Sequence, residues 1–138
     1  MTASSVTVDY IRGIPVFCFA NNSRMACDEY IKLFGEELQK NYYAVENPNS
    51  HYPSVMDLSQ SGMFSIKYMA DKLKQAHIAL ENPPQMITAY IIQNVQDETL
   101  FGLVNNMKIS AVSLTRKIFH EGEMDEAINW LLSYDPAL

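Results

Sequence analysis

The part of the chain that decides the fold is Arg116–Leu132, which reads RKIFHEGEMDEAINWLL. Ile118 and Phe119 give its beginning the character of a short β-strand, and Gly122 marks a tight turn. Apolar side chains then recur at helical spacing, at Met124, Ala127, Ile128, Leu131 and Leu132. A strand, a turn and an amphipathic helix in succession predict an α/β sheet.

Four further strands are predicted upstream of this unit. Val6–Tyr10 alternates apolar and polar residues, and with the apolar run Ile14–Phe19 it predicts an N-terminal hairpin. Ser54–Leu58 and Met86–Ile92 are apolar and have the length of buried strands. We therefore expect one domain spanning residues 1–138, with a mixed sheet of about five strands, near the usual sheet size.

Four helices are predicted to alternate with these strands and to cover the sheet. They are expected from the capping residues Asn21–Ser23 to about Lys40, from Ile66 to Leu80, from Asp97 to Ser113 or Leu114, and from Glu123 to Tyr134. Between the first helix and the next strand, Tyr42–Val45 is predicted to be extended and Glu46–Pro53 to form a loop. Tyr42, Tyr43 and Tyr52 flank this loop, either as an exposed aromatic patch for a partner or as a cover over the sheet edge.

The composition excludes some classes of function. A net charge of -6 and a pI near 4.9 argue against binding to nucleic acid, which requires clustered Lys and Arg. The apolar run Ile14–Ala20 is too short to span a bilayer, and Met1–Ser5 does not resemble a signal peptide. Cys18 and Cys27 are compatible with a reducing compartment, although a disulfide between them stays open. We expect a cytoplasmic protein without membrane insertion.

Motifs for catalysis or metal binding are absent from the sequence. It contains no nucleophile elbow, P-loop or dinucleotide-binding glycine pattern. The three histidines, His51, His77 and His120, lack the spacing of metal ligands. We therefore expect no metal, no cofactor and no enzymatic activity, although a catalytic site assembled from distant residues stays open as an alternative hypothesis.

The best local candidate for a site is the turn Ser59–Ser65, which follows the strand ending at Asp57 and leads into the second predicted helix. Free N–H groups and the helix dipole at such a position can hold an anion, and phosphorylation there would add charge beside Asp57. The same serines would also serve as ordinary helix caps. Both interpretations are compatible with the sequence.

The order of elements resembles the SpoIIAA-like branch of the STAS superfamily. The most specific matching pieces are Met56–Ser59, with its Asp-Leu-Ser strand end, and Glu126–Leu132 in the last helix. In anti-sigma-factor antagonists of this superfamily, an Asp-Ser-Ser-Gly segment at this strand end carries the phosphorylated serine. This chain has Ser59-Gln60-Ser61-Gly62 there instead, without an Asp-Ser pair, which leaves Ser61 and Ser65 in the corresponding region.

The resemblance implies a bacterial, non-enzymatic regulatory module that docks a protein partner or a second copy of itself. Its docking surface would lie at the start of the second helix, with the candidate residues Asp57, Ser59, Ser61, Met63, Phe64, Ser65 and Lys67. The branch is also similar to lipid-transfer CRAL-TRIO domains in its order of helices and strands. The alternative function is therefore a carrier or sensor of a small lipophilic ligand held between helices and sheet.

Overall fold

The computed structural model describes residues 5–43, 51–62, 64–78, 85–93 and 114–134. Five strands form one sheet, and their bounds are β1 Val6–Ile11, β2 Ile14–Phe19, β3 His51–Asp57, β4 Gln85–Ile92 and β5 Leu114–His120. Three helices accompany them in the described residues, and their bounds are α1 Arg24–Leu38, α2 Ile66–Ile78 and α3 Met124–Ser133. The predicted α/β class with a five-stranded mixed sheet is confirmed. The helix predicted between Asp97 and Leu114 lies mostly outside the described residues, and Leu114 itself begins β5.

The strands lie side by side in the order β1-β2-β3-β4-β5, the same order as in the sequence. β1 and β2 pair antiparallel as the predicted hairpin, from Val6 opposite Phe19 to Ile11 opposite Ile14. The pairs β2–β3, β3–β4 and β4–β5 are all parallel. Parallel pairing requires a crossover between consecutive strands, and α1 and α2 supply two of these crossovers.

The sheet separates two clusters of buried side chains. On one face Phe17, Phe19, Tyr52, Met56 and Tyr90 pack under α1 and α2. On the other face the sheet packs against α3, through Ile14, Val16, Val55, Ile87, Ala89, Ile91, Phe119, Ala127, Ile128 and Leu131. β4 is buried along almost its whole length, as expected for a central parallel strand covered on both faces.

Helix α1 begins where its capping residue predicts. The Ser23 hydroxyl accepts a hydrogen bond of 3.1 Å from the backbone N–H of Ala26. The prediction that Tyr42 and Tyr43 are extended is wrong, because Gln39–Tyr43 continues α1 as a π-helical turn. A hydrogen bond of 2.7 Å from the Asn41 amide to Glu37, four residues earlier, supports the helical course.

β3 begins three residues earlier than the predicted strand. His51, Tyr52 and Pro53 pair with Gln85, Met86 and Ile87 of β4, so these residues are strand rather than loop. Proline cannot donate a backbone hydrogen bond, but β2 pairs with β3 only from Val55 onward. At Pro53 no residue of β2 pairs with β3, so the missing hydrogen-bond donor is tolerated there.

Candidate functional site

The predicted site at the end of β3 forms a compact turn. Asp57 accepts hydrogen bonds through Oδ1 from the backbone N–H of Ser59, at 3.0 Å, and from its hydroxyl, at 2.6 Å. The hydroxyl of Ser61 donates to the carbonyl of Gly62 at 2.8 Å. Gly62 has a φ of +70°, a conformation that glycine adopts without steric cost. The turn thus engages both serine hydroxyls with its own groups.

The remaining residues of this predicted surface do not lie together. Phe64 is only 7% exposed and its ring centroid lies 5.9 Å from that of Phe19, so it contributes to the core under α1 and α2. Ser65 is exposed and its hydroxyl accepts a bond of 3.4 Å from the N–H of Tyr68 in the first turn of α2. Lys67 is exposed, and Met63 lies outside the described residues. The structure therefore gathers Asp57, Ser59 and Ser61 and directs Phe64 away from the surface.

A cleft lies at the opposite end of β3. It has a volume of about 440 Å³ and is lined by Tyr10, Gly13, Pro15, Asn41, Tyr42, His51, Tyr52 and Pro53. The β1–β2 hairpin, the π-helical turn after α1 and the first residues of β3 contribute these side chains. Small-molecule sites in proteins have volumes of roughly 300–1,000 Å³ and are rich in aromatic residues. The cleft fits both criteria.

A buried carboxylate stands behind the wall of the cleft. Glu37 is 4% exposed, and its Oε2 accepts hydrogen bonds from the hydroxyl of Tyr10 and, at 2.7 Å, from the amide of Asn41. Both donors also line the cleft. The bond to Glu37 raises the pKa of Tyr10 above its ordinary value.

Two polar atoms of cleft residues are buried without a hydrogen-bond partner among the described residues, the hydroxyl of Tyr52 and Nδ1 of His51. Tyr52 is 5% exposed, and burial, with Glu37 nearby, raises the pKa of its phenol, although Asn41 acts in the opposite direction. The Asn41 amide is close to the phenol but outside hydrogen-bonding geometry. Tyr52 therefore stays protonated at neutral pH and holds a proton it can donate. An unpaired buried hydroxyl costs about 1–3 kcal/mol, which a bound ligand would recover.

A row of polar residues crosses the sheet beside Tyr52. Ser54 of β3 lies opposite Thr88 of β4, and Thr88 lies opposite Arg116 of β5. The Ser54 hydroxyl and Nε of Arg116 are buried, and neither has a partner in the part of the chain that the structure describes. Burial raises the pKa values of Tyr30 and Tyr90, and the nearby Arg116 charge acts in the opposite direction. The face under α1 is thus polar at its centre as well as at its edge.

Neither cysteine is placed for a disulfide or for thiolate chemistry. Cys27 packs in the cluster under α1, whereas Cys18 packs against the cluster under α3, on the opposite face of the sheet. Burial raises the pKa of Cys27 to about 11, and burial also raises the pKa of Cys18. Both thiols are therefore protonated at neutral pH, the unreactive form. Over the described ranges, no three metal-ligating side chains come together.

The sequence contains one sign of the cleft that pattern analysis did not use. Glu37 lies on the apolar stripe of α1, together with Tyr30, Phe34 and Leu38, where a carboxylate is out of place. A charged residue in that position requires partners inside the fold. One partner, Asn41, is four residues away, but the other, Tyr10, is on β1 and 27 residues away, so local pattern could not identify it.

The comparisons with known proteins assign the chain to no family. No protein-family model matches it, and neither the curated proteins nor the solved structures include a significant match. Among the helices of the described residues, none combines the length and the apolar character needed to cross a bilayer.

Proposed function

We propose that this protein is a non-enzymatic binding module that holds a small organic ligand in the cleft between Tyr10 and His51. The observation that carries the proposal is the unpaired, buried Tyr52 hydroxyl in the wall of a cleft of about 440 Å³. A preformed aromatic cavity with few polar groups is the usual form of a ligand site. This assignment develops the carrier or sensor function expected from the sequence, with the ligand at the edge of the sheet and with polar groups beside it.

The proposal predicts where small ring compounds bind. In titrations of ¹⁵N-labelled protein with such compounds, we expect shifted amide signals at Asn41, Tyr42, His51 and Tyr52. Replacing the half-buried Tyr42 by alanine should weaken binding by about two- to tenfold, the range of one lost aromatic contact. The measurement is the dissociation constant from these titrations.

The matched control is Tyr68→Ala, which removes a half-buried tyrosine from α2, outside the cleft lining. This variant should bind the same compounds as the unmodified protein does. If ring compounds do not shift the amide signals of these four cleft residues, or if both variants weaken binding equally, the cleft is not the binding site.

Docking of a protein partner at the start of α2 is the second candidate function, and a cluster of cations favours it. The Tyr68 ring lies 5.2 Å from the guanidinium carbon of Arg24 and 5.5 Å from Nζ of Lys72, and Lys67 is exposed nearby in sequence. The Tyr68 hydroxyl also donates to Asp28 at 2.7 Å, so the cluster includes one carboxylate. In a chain of net charge -6, the three cations suit an acidic segment of a partner. Ser61 and Ser65 precede this cluster, so phosphorylation there would repel an acidic partner.

Charge reversal tests this second candidate. We expect the double variant Lys67→Glu/Lys72→Glu to reduce capture of a partner from cell extract by tenfold or more, because like charges oppose association. The control Lys32→Glu/Lys40→Glu reverses two exposed charges of α1 and its π-helical turn and should retain capture. Equal capture by the two double variants would contradict docking of a partner at the start of α2.

A further inference from the structure

The cleft has an electrostatic character that restricts its ligand. Its lining contains tyrosines, prolines, an asparagine, a histidine and a glycine, with no Lys or Arg among the described lining residues. The negative faces of aromatic rings attract cations and are unfavourable for anions. The tyrosine walls at Tyr10, Tyr42 and Tyr52 therefore favour a positively charged group.

Glu37 adds a buried carboxylate next to this lining. Its two hydrogen bonds both go to Oε2, and they come from uncharged donors, Tyr10 and Asn41. In the described residues no cationic side chain pairs with the carboxylate. A buried carboxylate without a counter-ion is costly, so a cation in the cleft would be stabilised by this charge.

The end of α1 contributes in the same direction. The helix and its π-helical turn, Gln39–Tyr43, end at the cleft, and the exposed Lys40 is the basic residue of this turn. The carboxyl end of a helix carries a partial negative charge, which favours cations nearby. The rings, the carboxylate and the helix end thus act together, against the single exposed charge of Lys40.

We infer that the ligand of this cleft carries an ammonium group, which lies against the tyrosine rings and interacts with Glu37 while its remaining atoms fill the cleft. This inference rests on the proposed function. Glu37 lies behind the part of the wall formed by Tyr10 and Asn41, so its charge acts on the ammonium group across these two side chains.

Three probes of similar size separate charge from shape. Benzylamine is a cation at neutral pH, benzyl alcohol is uncharged and benzoate is an anion. With the unmodified protein we expect benzylamine to bind at least tenfold more tightly than benzyl alcohol, and benzoate to bind most weakly. The readout is the dissociation constant from the amide shifts of the cleft residues.

A matched pair of variants locates the charge. Glu37→Gln keeps the shape and can still accept from Tyr10 and Asn41, and it should weaken benzylamine binding about tenfold while benzyl alcohol binding stays unchanged. Glu36→Gln removes the neighbouring, exposed carboxylate and should leave all three probes unaffected. If Glu37→Gln does not fold, the comparison of the three probes on the unmodified protein still decides the question.

The outcomes distinguish the inference from the function on which it rests. If benzyl alcohol or benzoate binds in the cleft as tightly as benzylamine, or if Glu37→Gln leaves the preference for benzylamine intact, the ammonium inference is overturned and the binding function stands. If none of the three probes shifts the amide signals of the cleft residues, both the ammonium inference and the proposed binding function are overturned.

Discussion

Phe17→Ala is expected to lower the free energy of unfolding by about 3–5 kcal/mol, the range for removing a buried aromatic side chain. Phe17 is fully buried on β2, with its ring centroid 5.1 Å from that of Tyr30 and 5.9 Å from that of Phe34. The first contact is edge-to-face, a geometry that aromatic pairs favour. Alanine would remove both contacts and leave a cavity between the sheet and α1.

Urea unfolding followed by circular dichroism measures this loss as a lower midpoint at an unchanged slope. The control is Met25→Ala on the first turn of α1, where the side chain is 74% exposed and the change should stay within about 0.5 kcal/mol. A loss below about 1 kcal/mol for Phe17→Ala would contradict the cluster under α1, since buried aromatic truncations cost several times that amount.

Ile128→Ala should have the second-largest effect, a loss of about 2–5 kcal/mol. Ile128 is fully buried on α3 and belongs to the cluster on the other face of the sheet. α3 has ten residues, too few for a stable isolated helix, so its packing on the sheet maintains it. Loss of the Ile128 contacts therefore weakens the helix together with that face of the core.

Hydrogen exchange gives a readout specific to α3. In Ile128→Ala the amides of Met124–Ser133 should lose protection before those of β3 and β4, because a locally weakened element opens first. Leu132→Ala, on the exposed side of the same helix, is the control and should keep both the protection and the unfolding midpoint. Uniform loss of protection across the sheet would show that α3 does not open as a separate unit.

The predictions that succeeded rest on local pattern. The hairpin, β4, β5 and α3 follow from alternation, apolar runs and helical spacing, all of which are visible within 6–10 consecutive residues. The Ser23 cap is local for the same reason, since a side chain and an N–H three residues later decide it. Local chemistry and tertiary packing agree at these positions.

The predictions that failed depend on distant partners. His51–Pro53 has the composition of a loop, and it becomes strand only because Gln85–Ile87 of β4 lies beside it. Tyr42 and Tyr43 have aromatic side chains typical of strands, yet α1 continues through them, supported by the contact of Asn41 with Glu37. Tertiary context overrides local preference in both segments.

The candidate sites show the same limit. The turn at Asp57 and Ser59 was visible in the sequence, because a strand end and its capping groups are adjacent. Phe64 was expected at the surface, but a ring that can pack against Phe19 is more stable inside the core. The cleft joins residues from the β1–β2 hairpin, the π-helical turn after α1 and β3, a juxtaposition that only the fold creates.

The agreement between strand order and chain order has a consequence for synthesis on the ribosome. Each strand after the first emerges when the strand it will join has already left the exit tunnel, so the sheet can extend by one strand at a time. No strand has to wait for a later segment to be inserted between it and its neighbour. We expect nascent chains halted after β3 to protect the β1–β2 amides already, and a growing edge that is always the most recently made strand.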